Sequence, residues 1–243
     1  MAETLLLLIA AHVLADFVLQ PRKILDNKHR MWVLLFHILI VTAVAYLFLG
    51  VFHWQILAGV FVTHLLMDAI KVYLLSDALA PFLIDQFVHI VALIGLAWYF
   101  PEAAWQGWWA TRLAPEHLAW YFASLSLMSG LILCVPAGGF MIAKAIKRFT
   151  DEIGPDGIRG LKSGGQYIGW LERSLVMLFV LIGQPTGIGF LIAAKSILRF
   201  GEIKEPSQRK VAEYIIIGTF MSFGWALLTA FLTKTAIALW LSN

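Results

Sequence analysis

Seven residues of two chemical kinds stand out in an otherwise apolar chain. His12 and Asp16, His64 and Asp68, and Asp85 and His89 form three pairs, each four residues apart, and His37 adds a fourth imidazole. On a helix, positions i and i+4 share a face, so each pair can turn both side chains toward one centre. Imidazole with carboxylate is ligand chemistry for Zn, Mn or Fe. Seven candidate ligands exceed a single four-coordinate site, so the pattern predicts one or two divalent ions, with Zn the first choice. An aspartate outside the ligand set can hold a histidine tautomer or act as general base, and Asp85 and Asp16 are the candidates for that catalytic role. No serine or cysteine nucleophile with a suitable partner accompanies them, which disfavours covalent catalysis.

The same residues have plainer readings. A single intramembrane histidine is more often a helix-to-helix hydrogen-bonding group than a ligand. Three His–Asp pairs can also make a buried hydrogen-bond network or a proton relay without metal.

These residues must be positioned by elements that live in lipid. The chain has 243 residues, 60% hydrophobic and only 14% charged, against about a quarter charged in a soluble domain. Apolar runs of ~18 residues or more are long enough to cross a bilayer core as helices. Eight candidate helices lie near residues 3–20, 31–52, 55–75, 82–100, 118–143, 166–184, 187–200 and 211–240. The expected fold is therefore an all-α, polytopic transmembrane bundle of about eight membrane helices. The seventh is short and follows the turn-rich Gln184-Pro185-Thr186-Gly187, so it is placed to form a hairpin with the sixth. The first stretch lacks a basic leader segment and contains His12 and Asp16, which reads as a retained span rather than a cleaved signal. The single cysteine, Cys134, lies in an apolar run and reads as a small buried residue.

Positive charge orients the bundle. Arg22, Lys23, Lys28 and Arg30 follow the first span, Lys71 closes the third, Lys144, Lys147, Arg148, Arg159 and Lys162 follow the fifth, and Arg199, Lys204, Arg209 and Lys210 follow the seventh. Basic loops stay cytoplasmic, so both termini are expected on the non-cytoplasmic side. Trp54, Trp98, Tyr99, Trp105, Trp108, Trp109, Trp120 and Trp240 fall near the opposite boundary, where aromatic rings anchor. At ~1.5 Å of rise per residue, all seven His and Asp residues fall in one slab near the cytoplasmic face. The organisation expected is a four-helix half over 1–100 with the His/Asp cluster, an interfacial external connection over 101–117, and a second helical half over 118–243. The second half includes a cytoplasmic loop at 144–165 whose glycines do not fit a phosphate-binding loop pattern.

In that second half, Glu172, Arg173, Lys195, Arg199 and Glu213 fall at similar depth. Opposite charges buried together usually pair, which makes Glu172 and Glu213 parts of a structural charge network. Lys195, Arg199 and Arg173 are also candidates for a basic pocket that takes a phosphate or a lipid head group.

The motifs resemble a bacterial family of multi-spanning membrane proteins, domain of unknown function 3307. The resemblance rests first on His12 through Asp16, Gln20-Pro21-Arg22-Lys23, His37, His64 through Asp68 and Asp85-Gln86-Phe87-Val88-His89. It continues in Gly169-Trp170-Leu171-Glu172-Arg173, in Ala193-Ala194-Lys195-Ser196-Ile197-Leu198-Arg199-Phe200, and in Glu213-Tyr214 with Ile217-Gly218-Thr219. It runs over essentially the whole chain, implies a bacterial inner-membrane protein, and brings no activity with it. The His-x-x-x-Asp pairs are also similar, as motifs only, to those of zinc-dependent phospholipase C and related nucleases and of inner-membrane hydrolases.

The leading expectation is a metal-dependent hydrolase acting on a phosphoester or lipid-like substrate from the cytoplasmic side. The alternatives are a metal-ion or proton-coupled transporter, and a membrane scaffold with a structural metal. Membrane lipid is the expected partner, and no nucleic-acid partner is expected.

Overall fold

The computed structural model describes residues 1–153, 161, 163–200 and 206–242, with the side chains of 198–200 and 206–208 excepted. The helices in chain order are α1 (Ala2–Phe17), α2 (Arg22–Asn27), α3 (Met31–Leu49), α4 (Trp54–Leu74), α5 (Leu79–Tyr99), α6 (Trp108–Arg112), α7 (Pro115–Ile132), α8 (Gly138–Ile153), α9 (Gly164–Leu181), α10 (Thr186–Phe200) and α11 (Pro206–Leu241). A 3-10 turn covers Ala103–Gln106, and a π-helical turn covers Leu133–Ala137 between α7 and α8. The fold is all-α, with no strand among the described residues.

Proline and glycine set several of the boundaries. Pro21 disfavours helix at Gln20, and α1 has ended by then. Gly50 takes a left-handed conformation (φ +70°) and donates its N–H to the Tyr46 carbonyl at 2.9 Å, a glycine cap that stops α3. Pro81 sits in the first turn of α5, where its missing N–H has no intrahelical partner to lose. Pro115 opens α7, as its fixed φ favours. Pro136 lies inside the π-helical turn, where a lost backbone bond is absorbed by local widening.

The chain forms two compact units, Met1–Ile132 with Ala236–Asn243, and Leu133–Thr235. In the first, α1 is the central helix and packs against α3, α5 and α7, while α4 packs against α3 and α5. Leu7, Leu8, Ala10, Ala11 and Ala15 of α1 are all buried. Alanines let neighbouring helices approach closely, which is what holds helices together in lipid, where burial of apolar surface gives little drive. Outward faces are apolar instead: Trp32, Phe36 and Leu39 form an exposed stripe on α3, and Ile84, Phe87 and Val91 one on α5. The inward stripe of α5 is Phe82, Asp85, His89, Leu93 and Ala97. The polar residues thus face protein and the apolar ones face outward, as a lipid-solvated helix requires. The C-terminal residues return to this unit, where Trp240 donates to Ser126 Oγ at 3.0 Å and its ring packs on Phe122.

Among the described residues, five helical segments are long and apolar enough to cross a membrane: Met31–Leu49, Trp54–Leu74, Leu79–Tyr99, Pro115–Ile153 and Arg209–Leu241. Eight were expected. The first, sixth and seventh candidates are helical but fall short, for distinct reasons. Helix α1 has 16 residues, about 24 Å of rise against ~30 Å of hydrocarbon. Helix α9 carries Glu172 and Arg173 at its middle, and α10 has 15 residues.

Residues 144–153, expected in a cytoplasmic loop, continue α8 as helix to Ile153. Lys147 and Asp151, four apart and joined at 2.7 Å, are a helix-supporting pair that the loop's glycine content obscured. Gly154, Gly157 and Gly160 lie outside the described residues, and Gly164 and Gly165 open α9. Helix α7, anticipated in the second half, packs on α1 and belongs to the first unit.

Candidate metal centre

Four helices of the first unit bring the seven residues together. His12 and Asp16 lie in the last turns of α1, His37 in the second turn of α3, His64 and Asp68 in the latter half of α4, and Asp85 and His89 in the first half of α5. Neighbouring helices run antiparallel, so these positions meet at one end of the unit, the end that carries α2. His37, His64, Asp85 and His89 are 0% exposed, and His12 and Asp68 are 1% exposed. Asp16 is 8% exposed at its side chain.

Hydrogen bonds around His12 and His64 decide which ring nitrogens carry protons. The His64 Nδ1 lies 2.9 Å from the Val60 carbonyl; a carbonyl only accepts, so Nδ1 bears the hydrogen and Nε2 keeps its lone pair. Gln86 donates through Nε2 to Asp85 Oδ2 at 3.0 Å, which points its Oε1 at His12 Nε2, 3.3 Å away. His12 therefore donates from Nε2, and in a neutral ring its Nδ1 keeps the lone pair. Those two lone-pair nitrogens, His12 Nδ1 and His64 Nε2, face each other at 3.2 Å. Two lone pairs at that distance repel, so either a proton or a metal ion joins the two rings. Tetrahedral ligand nitrogens ~2.0–2.1 Å from a Zn ion are ~3.3 Å apart, and metal-bound histidines commonly donate their other N–H to a carbonyl in this manner.

The remaining groups extend this pattern. The His89 ring stacks on His64 with centroids 4.1 Å apart and lies 5.2 Å from that of His12. Neither His89 nitrogen has a hydrogen-bond partner, nor does Asp85 Oδ1, 3.7 Å from His89 Nδ1. His12, His64 and His89 offer ligand atoms within 4.8 Å of one another, and so do Asp68, Asp85 and His89. The two groups share His89, whose neutral ring has one lone pair to give, so it can complete only one of them at a time. His37 and Asp16 stand beside these groups rather than in them. His37 Nε2 is 3.3 Å from Asp16 Oδ1 and 3.6 Å from Asp68 Oδ2, yet both His37 nitrogens and Asp16 Oδ1 lack a hydrogen-bond partner. Buried polar atoms without partners are rare in folded proteins. This many at one spot fit a donor set for divalent ions.

Three residues at the centre went unrecognised in the sequence as parts of a site. Lys28 Nζ donates to Asp68 Oδ2 at 2.9 Å, and Lys71 Nζ to Asp85 Oδ2 at 2.5 Å. Gln86 bridges His12 and Asp85. Lys71 was findable: it lies three residues after Asp68 and seven after His64, on their face of α4. Lys28 carries no such signal, because it sits outside the periodic helices and reaches the centre on a long stem.

In the second unit the charged candidates are separated by their partners. Lys195 pairs with Glu172 at 2.8 Å. Arg173 is 4% exposed and donates to the Val135 carbonyl at 3.0 Å and to Ser222 Oγ at 3.1 Å, its Nε alone lacking a partner. Glu213 pairs with Arg209 at 3.0 Å on an exposed face of α11 rather than joining Glu172. The Arg199 side chain lies outside the described residues.

Residues 4–113 match the family model described as protein of unknown function (DUF3307), and the chain carries a domain of that family over this segment. The segment holds all seven His and Asp residues with Lys28, Lys71 and Gln86, whereas the motifs around Glu172, Lys195 and Glu213 lie beyond it. No curated protein and no solved structure matches the chain.

Proposed function

We propose that the first unit is a divalent-metal centre of a membrane-embedded hydrolase whose substrate is a phosphoester or a lipid-like molecule. The observation that carries this reading is the pair of lone-pair nitrogens, His12 Nδ1 and His64 Nε2, held face to face at 3.2 Å by fixed hydrogen bonds on their far sides. His12, His64 and His89 would hold one ion, and Asp68 with Asp85 could hold a second, with Zn first and Mn or Fe also suited to the donors. When bound, such an ion supplies Lewis acidity and a water of lowered pKa. Around it, Gln86 orients His12 and Asp85, and the Val60 carbonyl orients His64. Asp16, outside both ligand groups with Oδ1 3.3 Å from His37 Nε2, is the better placed of the two candidate general bases. Asp85 serves as a ligand.

In this reading all eight expected spans lie in the membrane, α7 with α8 as one of them and α1 and α10 as short members, and the positively charged connections face the cytoplasm. The centre then opens to the cytoplasm and both termini lie on the other side. A second reading, a metal-ion or proton-coupled transporter, is favoured by the run of contacts from His12 through Asp16, His37 and Asp68 to Lys28, with steps of 3.8, 3.3, 3.6 and 2.9 Å.

Elemental analysis of protein purified without chelators tests the metal. The wild type should hold one or two ions per chain, and the His64→Ala, Asp68→Ala double variant none. A wild type without stoichiometric metal ends the proposal. Turnover of phosphoester and phospholipid substrates with added Zn or Mn then supports hydrolysis, while no turnover together with metal flux in proteoliposomes supports transport.

A further inference from the structure

Metal reverses the sign of the charge at the centre. Asp16, Asp68 and Asp85 contribute three negative charges, and the ammoniums of Lys28 and Lys71 two positive ones. With neutral imidazoles, one divalent ion leaves a net charge of plus one, and two ions leave plus three. A net charge in surroundings this buried calls for a counter-charge. The lysines are already placed for it. Each meets its aspartate through Oδ2 alone, which leaves Asp85 Oδ1 unpartnered on the side of His89. An ammonium has three N–H donors, and the described carboxylate contact takes one on each lysine.

Resting on the reading of this centre as a metal site, we infer that Lys28 and Lys71 are its anion-recognising face, and that the anion is phosphate-type, either free or on a lipid head group. Lys71 is the open side. Its side chain is 27% exposed, against 7% for Lys28, and its ammonium lies 5.6 Å from the Phe82 ring centre, a contact that steadies a cation. Lys28 comes from the connection before α3 and Lys71 from the last turn of α4, so the two charges reach the centre from separate segments. Two compact point charges beside a divalent ion suit an anion with several oxygens on one atom, and lysine binds phosphate in this fashion. The lysines also make the site selective, since a neutral ligand leaves the positive charge uncompensated.

The test uses the full chain in nanodiscs of zwitterionic phosphatidylcholine, loaded with Zn and titrated calorimetrically with inorganic phosphate. Wild type should bind phosphate only when Zn is present. K71M should weaken that binding by ~10-fold or more at unchanged Zn content, and K71R should restore most of it. K28M should act in the same direction, and its Zn content reports whether the centre has stayed folded. Nanodiscs containing phosphatidic acid separate the two sources of phosphate. Loss of free-phosphate binding there identifies a lipid head group, and unchanged binding a soluble anion. Phosphate affinity within ~2-fold of wild type in K71M, at full Zn content, overturns the assignment. So does a Zn-loaded wild type that binds no phosphate in phosphatidylcholine. A wild type that holds no Zn removes the metal reading itself, a result distinct from either.

Discussion

In the first unit, buried imidazoles and carboxylates converge and leave several atoms without partners; in the second, buried charges are largely taken up by their neighbours. His37, His89, Asp16 and Asp85 each keep at least one unpartnered atom. Glu172 has Lys195, and the terminal nitrogens of Arg173 have Val135 and Ser222. Both units place ionisable groups among apolar helices, so burial alone does not distinguish a site from a clamp. What distinguishes them is whether the surrounding bonds satisfy the charge or only orient it. Gln86 and Val60 orient their histidines and leave the inward nitrogens bare. Val135 and Ser222 close around Arg173 and tie α9 to the π-helical turn and to α11.

That contrast can be broken by substitutions that exchange the two behaviours. The largest effect should come from Gln86→Leu, which removes the acceptor of His12 Nε2 and frees the ring to take the wrong tautomer. Metal affinity should fall by ~10–100-fold, measured by competition with a chromophoric chelator, with little change in thermal stability. Unchanged affinity would mean that Gln86 does not set the His12 tautomer. Next comes Arg173→Met, which fills a similar volume without donors. It should lower stability by ~1–3 kcal/mol, seen as a reduced midpoint in detergent, while metal content stays at the wild-type level. Metal loss without destabilisation would move Arg173 from the clamp to the site. The smallest effect should be that of Arg209→Ala, which breaks the exposed pair with Glu213. Its midpoint should stay within ~0.5 kcal/mol of wild type, and a larger drop would show that α11 depends on that pair.

Legibility in the sequence followed periodicity. Three i,i+4 pairs on apolar helices were visible because helical spacing converts directly into a shared face, and the inward stripe of α5 from Phe82 to Ala97 confirms the register for Asp85 and His89. Lys71 obeyed the same rule but was read only as a topological charge. Lys28 could not be read, because its route to Asp68 depends on how the connection before α3 folds back. The opposition of His12 Nδ1 and His64 Nε2 was also out of reach, since it depends on the Val60 carbonyl, and a backbone group has no signature in residue type. In the second unit, similar depth does not bring proximity. Glu213 and Glu172 share a predicted level, yet each pairs with a different cation. Among the described residues, charges or short length keep α9 and α1 from reaching membrane-spanning length and hydropathy.

The central position of α1 has a consequence for how the protein is made. A helix of 16 residues that carries His12 and Asp16 is a poor lodger in lipid by itself, since it is too short to span the hydrocarbon and ionisable side chains inside a membrane are costly. It becomes stable only when its neighbours have been synthesised, and one of them, α7, begins at Pro115. A gene fragment ending at residue 113 would encode every candidate ligand and still lack a wall of the helix bearing two of them. The packing of α1 is therefore complete only after the ribosome has passed the segment in which the candidate ligands are written.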